Sequence, residues 1–219
     1  MINRENTIER ILKEKIIVIM RGFTKEQIVE TARAMLKGGV SMLELTFDQR
    51  GITPDCEIAE NIKLLKETFG DELSVGAGTV MSVEQVELAK NAGAEFIISP
   101  DTFKDVIERT RELEMVSIPG AITPTEAAMA HRYGADFVKL FPFSHYGVKY
   151  LKDLSAPLSH IRFLAVGGVN AENIPEFIKA GACGFGIGTN LANKEMINLG
   201  RYDMIEVYAK KYRDAVKRG

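Results

Sequence analysis

The chain has 219 residues, 46% hydrophobic and 26% charged, the balance of an ordinary soluble globular protein. Twenty-eight basic against 30 acidic side chains give a formal charge of −2, which argues against a broad basic surface for nucleic acid. Two distant cysteines, Cys56 and Cys183, and three scattered histidines argue against a disulfide scaffold and a Cys/His metal site. The N-terminal Met1-Ile-Asn-Arg-Glu-Asn-Thr7 is polar, and the longest early apolar run, Ile16 to Met20, is far short of the ~20 residues of a bilayer span. No leader or membrane partner is expected, and a cytoplasmic location is the default.

Short apolar runs alternate with longer amphipathic ones from end to end. A first helix is expected near Arg4–Lys13, then a strand at Ile16–Arg21 and a helix at Lys25–Lys37. The same pair repeats as Met42–Phe47 with Asp55–Phe69, Ser74–Val80 with Val83–Asn91, and Phe96–Pro100 with Phe103–Glu112. It continues as Val116–Ile122 with Thr125–Tyr133, Phe137–Pro142 with Val148–Ser155, and Arg162–Gly168 with Ala171–Lys179. The last unit is Gly184–Leu191 with Tyr202–Arg218.

Helix boundaries carry their own chemistry. Thr24 with Gln27, Ser82 with Gln85 and Thr123 with Glu126 have capping-box spacing, and Pro124 follows the third cap. Glycines at Gly38-Gly39, Gly93, Gly134 and Gly181 close helices where a left-handed backbone is cheap. Eight βα units with no linker or composition break predict one domain, 1–219, built as a (β/α)8 TIM barrel with an extra N-terminal helix. The competing doubly wound sheet lacks a G-x-G-x-x-G after its first strand.

Strand alternation assigns faces. Ile16, Val18 and Met20 oppose Ile17, Ile19 and Arg21; Leu43, Leu45 and Phe47 oppose Met42, Glu44 and Thr46; Val138, Leu140 and Pro142 oppose Phe137, Lys139 and Phe141. The wholly apolar sets should meet the helices, which turns Arg21, Glu44 and Lys139 inward. Three charges inside a barrel must pair with one another as an ion network or serve a ligand, since an unpaired buried charge costs several kcal/mol. They lie towards the C-terminal strand ends, where active sites of this fold form. Apolar neighbours lower the pKa of Lys139, and a neutral amine can attack a ketone to form a Schiff base. Glu44 is the interior carboxylate for acid–base work, Arg21 can hold a keto-acid carboxylate bidentately, and Thr79 can add a hydroxyl.

Two glycine-rich strand ends, Val166-Gly167-Gly168-Val169 and Gly186-Ile-Gly188-Thr189, let backbone N–H groups approach a phosphate. The alternative is that these glycines relieve crowding. His145 reads as a solvated loop residue, Cys56 has no His partner, and the loop acids Asp48 and Asp101 do not make a metal site.

Glu44-Leu-Thr-Phe, Val75-Gly-Ala-Gly-Thr-Val80, Ile97-Ile-Ser-Pro100, Ile118-Pro-Gly120, Lys139-Leu-Phe-Pro142 and Gly167-Gly-Val169 occur in order. Together they resemble the class I 2-keto-3-deoxy-6-phosphogluconate / 4-hydroxy-2-oxoglutarate aldolases, from Ile16 to the last strand. The resemblance implies a homotrimer of barrels, no metal or other cofactor, pyruvate as a product, Lys139 as the Schiff-base lysine and Glu44 as acid/base. It also implies that Arg21, Thr79, Phe141 and Pro100 line the pyruvate pocket. The expected phosphate site is Gly167, Gly168, Gly188 and Thr189. Departures are Asp48 where many members carry arginine, Asp101 where many carry glycine, and Val166 where gluconate-type enzymes carry threonine. Ala165-Val-Gly-Gly-Val169 is more similar to the 2-keto-3-deoxy-6-phosphogalactonate aldolases. The expected reaction is cleavage of a 2-keto-3-deoxy-6-phospho sugar acid to pyruvate and glyceraldehyde 3-phosphate. The alternatives are 4-hydroxy-2-oxoglutarate cleavage, oxaloacetate decarboxylation, or a barrel that only binds keto acids or sugar phosphates.

Overall fold

The periodic stretches fold in sequence into α1 (Arg4–Glu14), β1 (Ile16–Met20), α2 (Lys25–Lys37), β2 (Met42–Thr46), α3 (Asp55–Phe69), β3 (Ser74–Gly78) and α4 (Val83–Asn91). Then come β4 (Phe96–Ile98), α5 (Lys104–Glu112), β5 (Val116–Ile118), β6 (Gly120–Ala121), α6 (Pro124–Arg132), β7 (Val138–Leu140) and α7 (Gly147–Ser155). The chain ends with β8 (Phe163–Val166), α8 (Ile174–Lys179), β9 (Gly184–Ile187), α9 (Lys194–Asn198) and α10 (Tyr202–Lys217). This computed structural model describes residues 4–219; residues 1–3, the start of the expected domain and of the polar N-terminal stretch, lie outside them.

All strand pairs are parallel, in the order β5-β4-β3-β2-β1-β9-β8-β7-β6. The two ends of that list, β5 and β6, are one expected strand, Val116–Ile122, broken at Pro119. Proline has no N–H for a ladder, so the strand splits there. The chain itself joins the two ends, and the sheet closes as an eight-unit α/β barrel.

Strand alternation sorts the core as expected. Ile16, Val18, Met20, Leu43, Leu45, Phe47, Val138 and Leu140 pack under the helices. Ile17, Met42, Phe96, Ile98, Val116, Ile118, Phe137 and Leu164 fill the lower barrel, and Ile8, Ile11 and Leu12 of α1 close its floor. Fully burying each such side chain stabilises the fold by roughly 1.5–3 kcal/mol. Polar pins hold α1 in place. Asp136 accepts from Arg4, from Arg111 at 3.0 Å and from the Ser117 N–H at 3.0 Å. Buried Glu95 accepts from Lys66 at 2.5 Å, Ser74 at 2.6 Å and Thr7 at 3.5 Å.

The expected strands end early because their last residues turn out of the ladder into the mouth loops. Gly184–Leu191 stops at Ile187, and the following residues wind into a turn in which the Leu191 and Ala192 N–H groups donate to Gly188 O at 3.0 and 2.9 Å. The helix expected from Ala171 starts at Ile174, because the Asn170 N–H donates to the Asn173 side chain and the Asn173 N–H to the Asn170 side chain, both at 2.9 Å. Helix α9, capped by Asn193, was not expected; five residues are too few to show a helical period. The capping boxes of α2 and α6 form in full. At α4 only half forms: Ser82 accepts from the Gln85 N–H, but the Gln85 amide goes elsewhere.

Candidate active site

Register decides what meets inside the barrel. Glu44 pairs laterally with Ile19 and Gly76, and Lys139 with Gly120 and Leu164. Their strands, β2 and β7, stand four steps apart around the ring in the β1–β9–β8 direction, so the two side chains approach from opposite walls. Both sit one layer above the apolar floor: Met42 precedes Glu44, and Phe137 precedes Lys139, on the same faces.

Glu44 is 2% exposed, and its Oε2 has no hydrogen-bond partner. Burial pushes its carboxyl above the usual range, while Lys139 and Arg21 pull it back. The glycines of the Gly76-Ala-Gly-Thr79 motif make the space. A Cβ on Gly78 would stand 1.6 Å from Glu44 Oε1, and one on Gly76 would stand 2.2 Å from the Phe96 ring.

Lys139 is 7% exposed, and its Nζ lies 4.6 Å from the centroid of the Phe141 ring, over its face. Burial moves its ammonium below the ordinary lysine value; Glu44 opposes that shift and Arg21 adds to it. Among the described residues the amine closes no salt bridge with Glu44. The pair is therefore no self-satisfied ion network. An amine that favours its neutral form faces a carboxyl that favours its protonated form, the combination needed for nucleophile and proton shuttle.

Arg21 corrects the expectation of three buried charges. It lies one residue past β1, and its side chain is exposed at the mouth rather than enclosed. Its Nε donates to Thr46 Oγ1 at 3.2 Å and its Nη2 to Thr79 Oγ1 at 3.0 Å. Its charge still acts on both Glu44 and Lys139. Thr79 holds φ at +55°, a left-handed conformation that non-glycine residues seldom adopt and that clusters at functional sites. Pro100 is half-buried, and its carbonyl lies under Gly120, where a Cβ would meet it at 2.2 Å. Phe141 is 40% exposed at the rim.

The second glycine cluster stands on neighbouring strand ends. Gly167 and Gly168 both have positive φ, +106° and +72°, and pack against the loop after β7. A Cβ on Gly168 would approach Ser144 Cα to 3.0 Å. Gly188 faces open space, with no heavy atom within 4 Å of an added Cβ, and Thr189 is exposed. Asn190 Nδ2 donates to Val169 O at 3.1 Å and ties the two loops together.

Thr46, Gln49 and Gln85 were missed as site residues. For Thr46 the signal was present, since it shares the inward face with Glu44. Asp48 is clamped by Arg50: Nε donates to Oδ1 at 2.9 Å and Nη2 to Oδ2 at 3.3 Å, and the Arg50 side chain holds its carboxyl at about 2. His145 and Cys56 are exposed, and the Cys56 thiol is free. No group of three or more His, Cys, Asp or Glu suited to a metal occurs among the described residues, and no helix there is long and apolar enough to cross a membrane.

Residues 8–208 match the profile of the KDPG and KHG aldolase family, and the chain belongs to it. It is 34% identical to the 2-dehydro-3-deoxy-6-phosphogalactonate aldolase of Escherichia coli (strain K12), over 94% of this chain and 98% of that enzyme. A solved structure described as native KDPGal superposes with a TM-score of 0.83 at 31% identity, covering 92% of this chain and 94% of that one. The KDPG aldolase of Legionella pneumophila, solved with pyruvate captured as a covalent carbinolamine, gives a TM-score of 0.83 at 25% identity, over 95% of this chain and 97% of that one. The chain is an aldolase, a carbon–carbon lyase.

Proposed function

We propose that this aldolase cleaves a 2-keto-3-deoxy-6-phospho sugar acid to pyruvate and glyceraldehyde 3-phosphate through a Schiff base on Lys139. The observation that carries the reading is the buried, unbridged Lys139 opposite the buried, half-orphaned Glu44. The neutral Lys139 amine adds to the C2 carbonyl to give a carbinolamine; the protonated Glu44 carboxyl gives its proton to the departing hydroxyl, water leaves, and the protonated imine faces the resulting carboxylate. That cation draws the C3–C4 bonding electrons as Glu44, directly or through a water, takes the C4 hydroxyl proton. Glyceraldehyde 3-phosphate leaves, and Glu44 returns a proton to C3 of the enamine. Water then hydrolyses the imine, releasing pyruvate and the free amine.

Arg21 and Thr79 hold the keto-acid carboxylate, with Phe141 and Pro100 bounding the pyruvate end. The phosphate lies at Gly167, Gly168, Gly188 and Thr189, where the open face of Gly188 leaves room for an oxyanion. Two facts support the galactonate configuration at C4. The 34% identical relative is named for it, and Val166 presents methyls rather than a hydroxyl beside Gly186. The assembly is a cytoplasmic homotrimer, for which exposed Ile52, Met81 and Phe103 on successive mouth loops supply an apolar contact.

Borohydride trapping with pyruvate, followed by peptide mass mapping, tests the chemistry. A reduced adduct on Lys139, absent in Lys139→Ala, is expected; a folded protein that gives no adduct refutes the Schiff base. The two phosphorylated C4 epimers and unphosphorylated 4-hydroxy-2-oxoglutarate, assayed side by side, test the substrate. Equal kcat/KM with and without phosphate removes the phosphate site.

A further inference from the structure

Gln85 stands at the third position of α4 and is 7% exposed. Instead of completing its capping box, it enters a chain of hydrogen bonds that reaches the mouth. The polarity of that chain is fixed by groups that act in one direction only. The Asp55 carboxylate accepts from Gln85 Nε2 at 3.0 Å, and the Met81 N–H donates to Gln85 Oε1 at 2.8 Å. With the amide so oriented, Gln85 Oε1 also accepts from Gln49 Nε2 at 3.4 Å. Gln49 Nε2 donates in turn to Thr79 O at 2.9 Å. Thr79 is the residue held at φ +55°, and its hydroxyl accepts from Arg21 Nη2.

A threonine in that conformation is strained and persists only where its surroundings impose it. Arg21, exposed and long, loses much rotamer freedom when it grips an anion unless it is already aimed. Both needs meet at Thr79. We propose that Gln49 and Gln85 are positioning residues for the keto-acid carboxylate: they hold Thr79 in its left-handed conformation and, through its hydroxyl, aim Arg21. This rests on the reading of Arg21 as the carboxylate clamp. A tie that merely joins the loops after β2 and β3 would support the fold without affecting how well a keto acid binds.

The test uses the pyruvate concentration that half-saturates borohydride labelling of Lys139. Gln49 is exposed, so Gln49→Ala should leave the melting temperature nearly unchanged. It should raise the half-saturating pyruvate roughly three- to tenfold, the effect of one lost hydrogen bond, with labelling at saturation within about twofold. Thr79→Gly supplies a residue that adopts positive φ without strain and has no hydroxyl; in that background Gln49→Ala should add nothing. Gln85→Ala should follow Gln49→Ala in affinity. Unchanged affinity in Gln49→Ala, or an effect that adds in full to Thr79→Gly, overturns the relay while leaving the Schiff base standing. A wild-type protein unlabelled at Lys139 removes the clamp reading, and the relay with it.

Discussion

Gly78→Ala isolates the placement of Glu44 from its chemistry. The added Cβ would stand 1.6 Å from Glu44 Oε1, 2.3 Å from Cδ and 2.5 Å from Cγ. Non-bonded atoms settle near 3.5 Å, so the carboxyl must retreat by about 2 Å. The backbone cannot yield instead, because Gly78 is paired with Thr46 on one side and Ile98 on the other, and its carbonyl accepts from the Phe47 N–H at 2.9 Å. A proton shuttle works within about 2.6–3.2 Å of its target, and a 2 Å shift takes Glu44 out of that range. The expected loss in kcat for the phosphorylated sugar acid is about 10²–10⁴, alongside roughly 1–3 kcal/mol of overpacking. Gly76→Ala is the control. Its Cβ would collide with the Phe96 ring at 2.2 Å, one layer lower, and should lower stability similarly while sparing kcat. Pyruvate release measures kcat, and urea unfolding measures stability. A Gly78→Ala enzyme within about threefold of wild-type kcat, or a Gly76→Ala enzyme equally impaired, would refute the argument.

The charges around Lys139 predict opposite pH shifts. Imine formation needs the neutral amine, so its rate should rise with pH through a pKa below that of ordinary lysine. Arg21→Met removes a group that lowers this pKa and should move the rise to higher pH; Glu44→Gln removes one that raises it and should move the rise lower. Labelling rate against pH at saturating pyruvate reads both, and shifts in the same direction defeat the electrostatic account. Gly168→Ala forces a side chain onto φ +72° and to within 3.0 Å of Ser144 Cα, so it should raise KM for the phosphorylated substrate several-fold and leave pyruvate labelling unchanged. The double variant Lys139→Met/Glu44→Met removes two buried ionisable groups that satisfy each other poorly. It should match or exceed wild-type stability, by up to about 4 kcal/mol in urea unfolding, and a clear loss of stability contradicts that picture. The cost carried by Lys139 is full below its folded pKa and fades as pH rises towards that of unfolded lysine, so its share of the gain should shrink at high pH.

The elements that could be read from sequence are those whose cause is local. Helices Lys25–Lys37 and Val83–Asn91 match their expected limits because caps, apolar spacing and closing glycines lie within a few residues of each end, and Asp55–Phe69 matches on its apolar spacing. Inward Glu44 and Lys139 could be read because strand alternation has a period of two and the opposite set was wholly apolar. What could not be read depends on distant chain. The turn after Ile187 and the exposure of Arg21 are set by how each strand end leaves the ladder, whereas the break at Pro119 has a local cause, a proline without an N–H, that strand periodicity does not register. Gln85 had the spacing of a capping residue, yet an acceptor on α3 and an N–H before α4 take its amide. The Asp48–Arg50 clamp is local in sequence but depends on a loop conformation that no periodicity reports.

The fold holds two buried ionisable groups apart. An ion network that merely filled the barrel would bring Lys139 onto Glu44, where each would satisfy the other. Here they project from strands on opposite walls, with glycine at 76 and 78 clearing the side of Glu44 and the Phe141 ring bounding the side of Lys139. The unpartnered Glu44 Oε2 faces the same interior. Closing that gap would stabilise the protein and remove the space between amine and acid that the proposed Schiff-base reaction requires. The apolar floor below, and the polar pins that hold α1 across it, keep the walls from collapsing inward. A polar mouth above and an apolar floor beneath leave the unpartnered Glu44 Oε2 in the layer between them, across the barrel from the Lys139 amine.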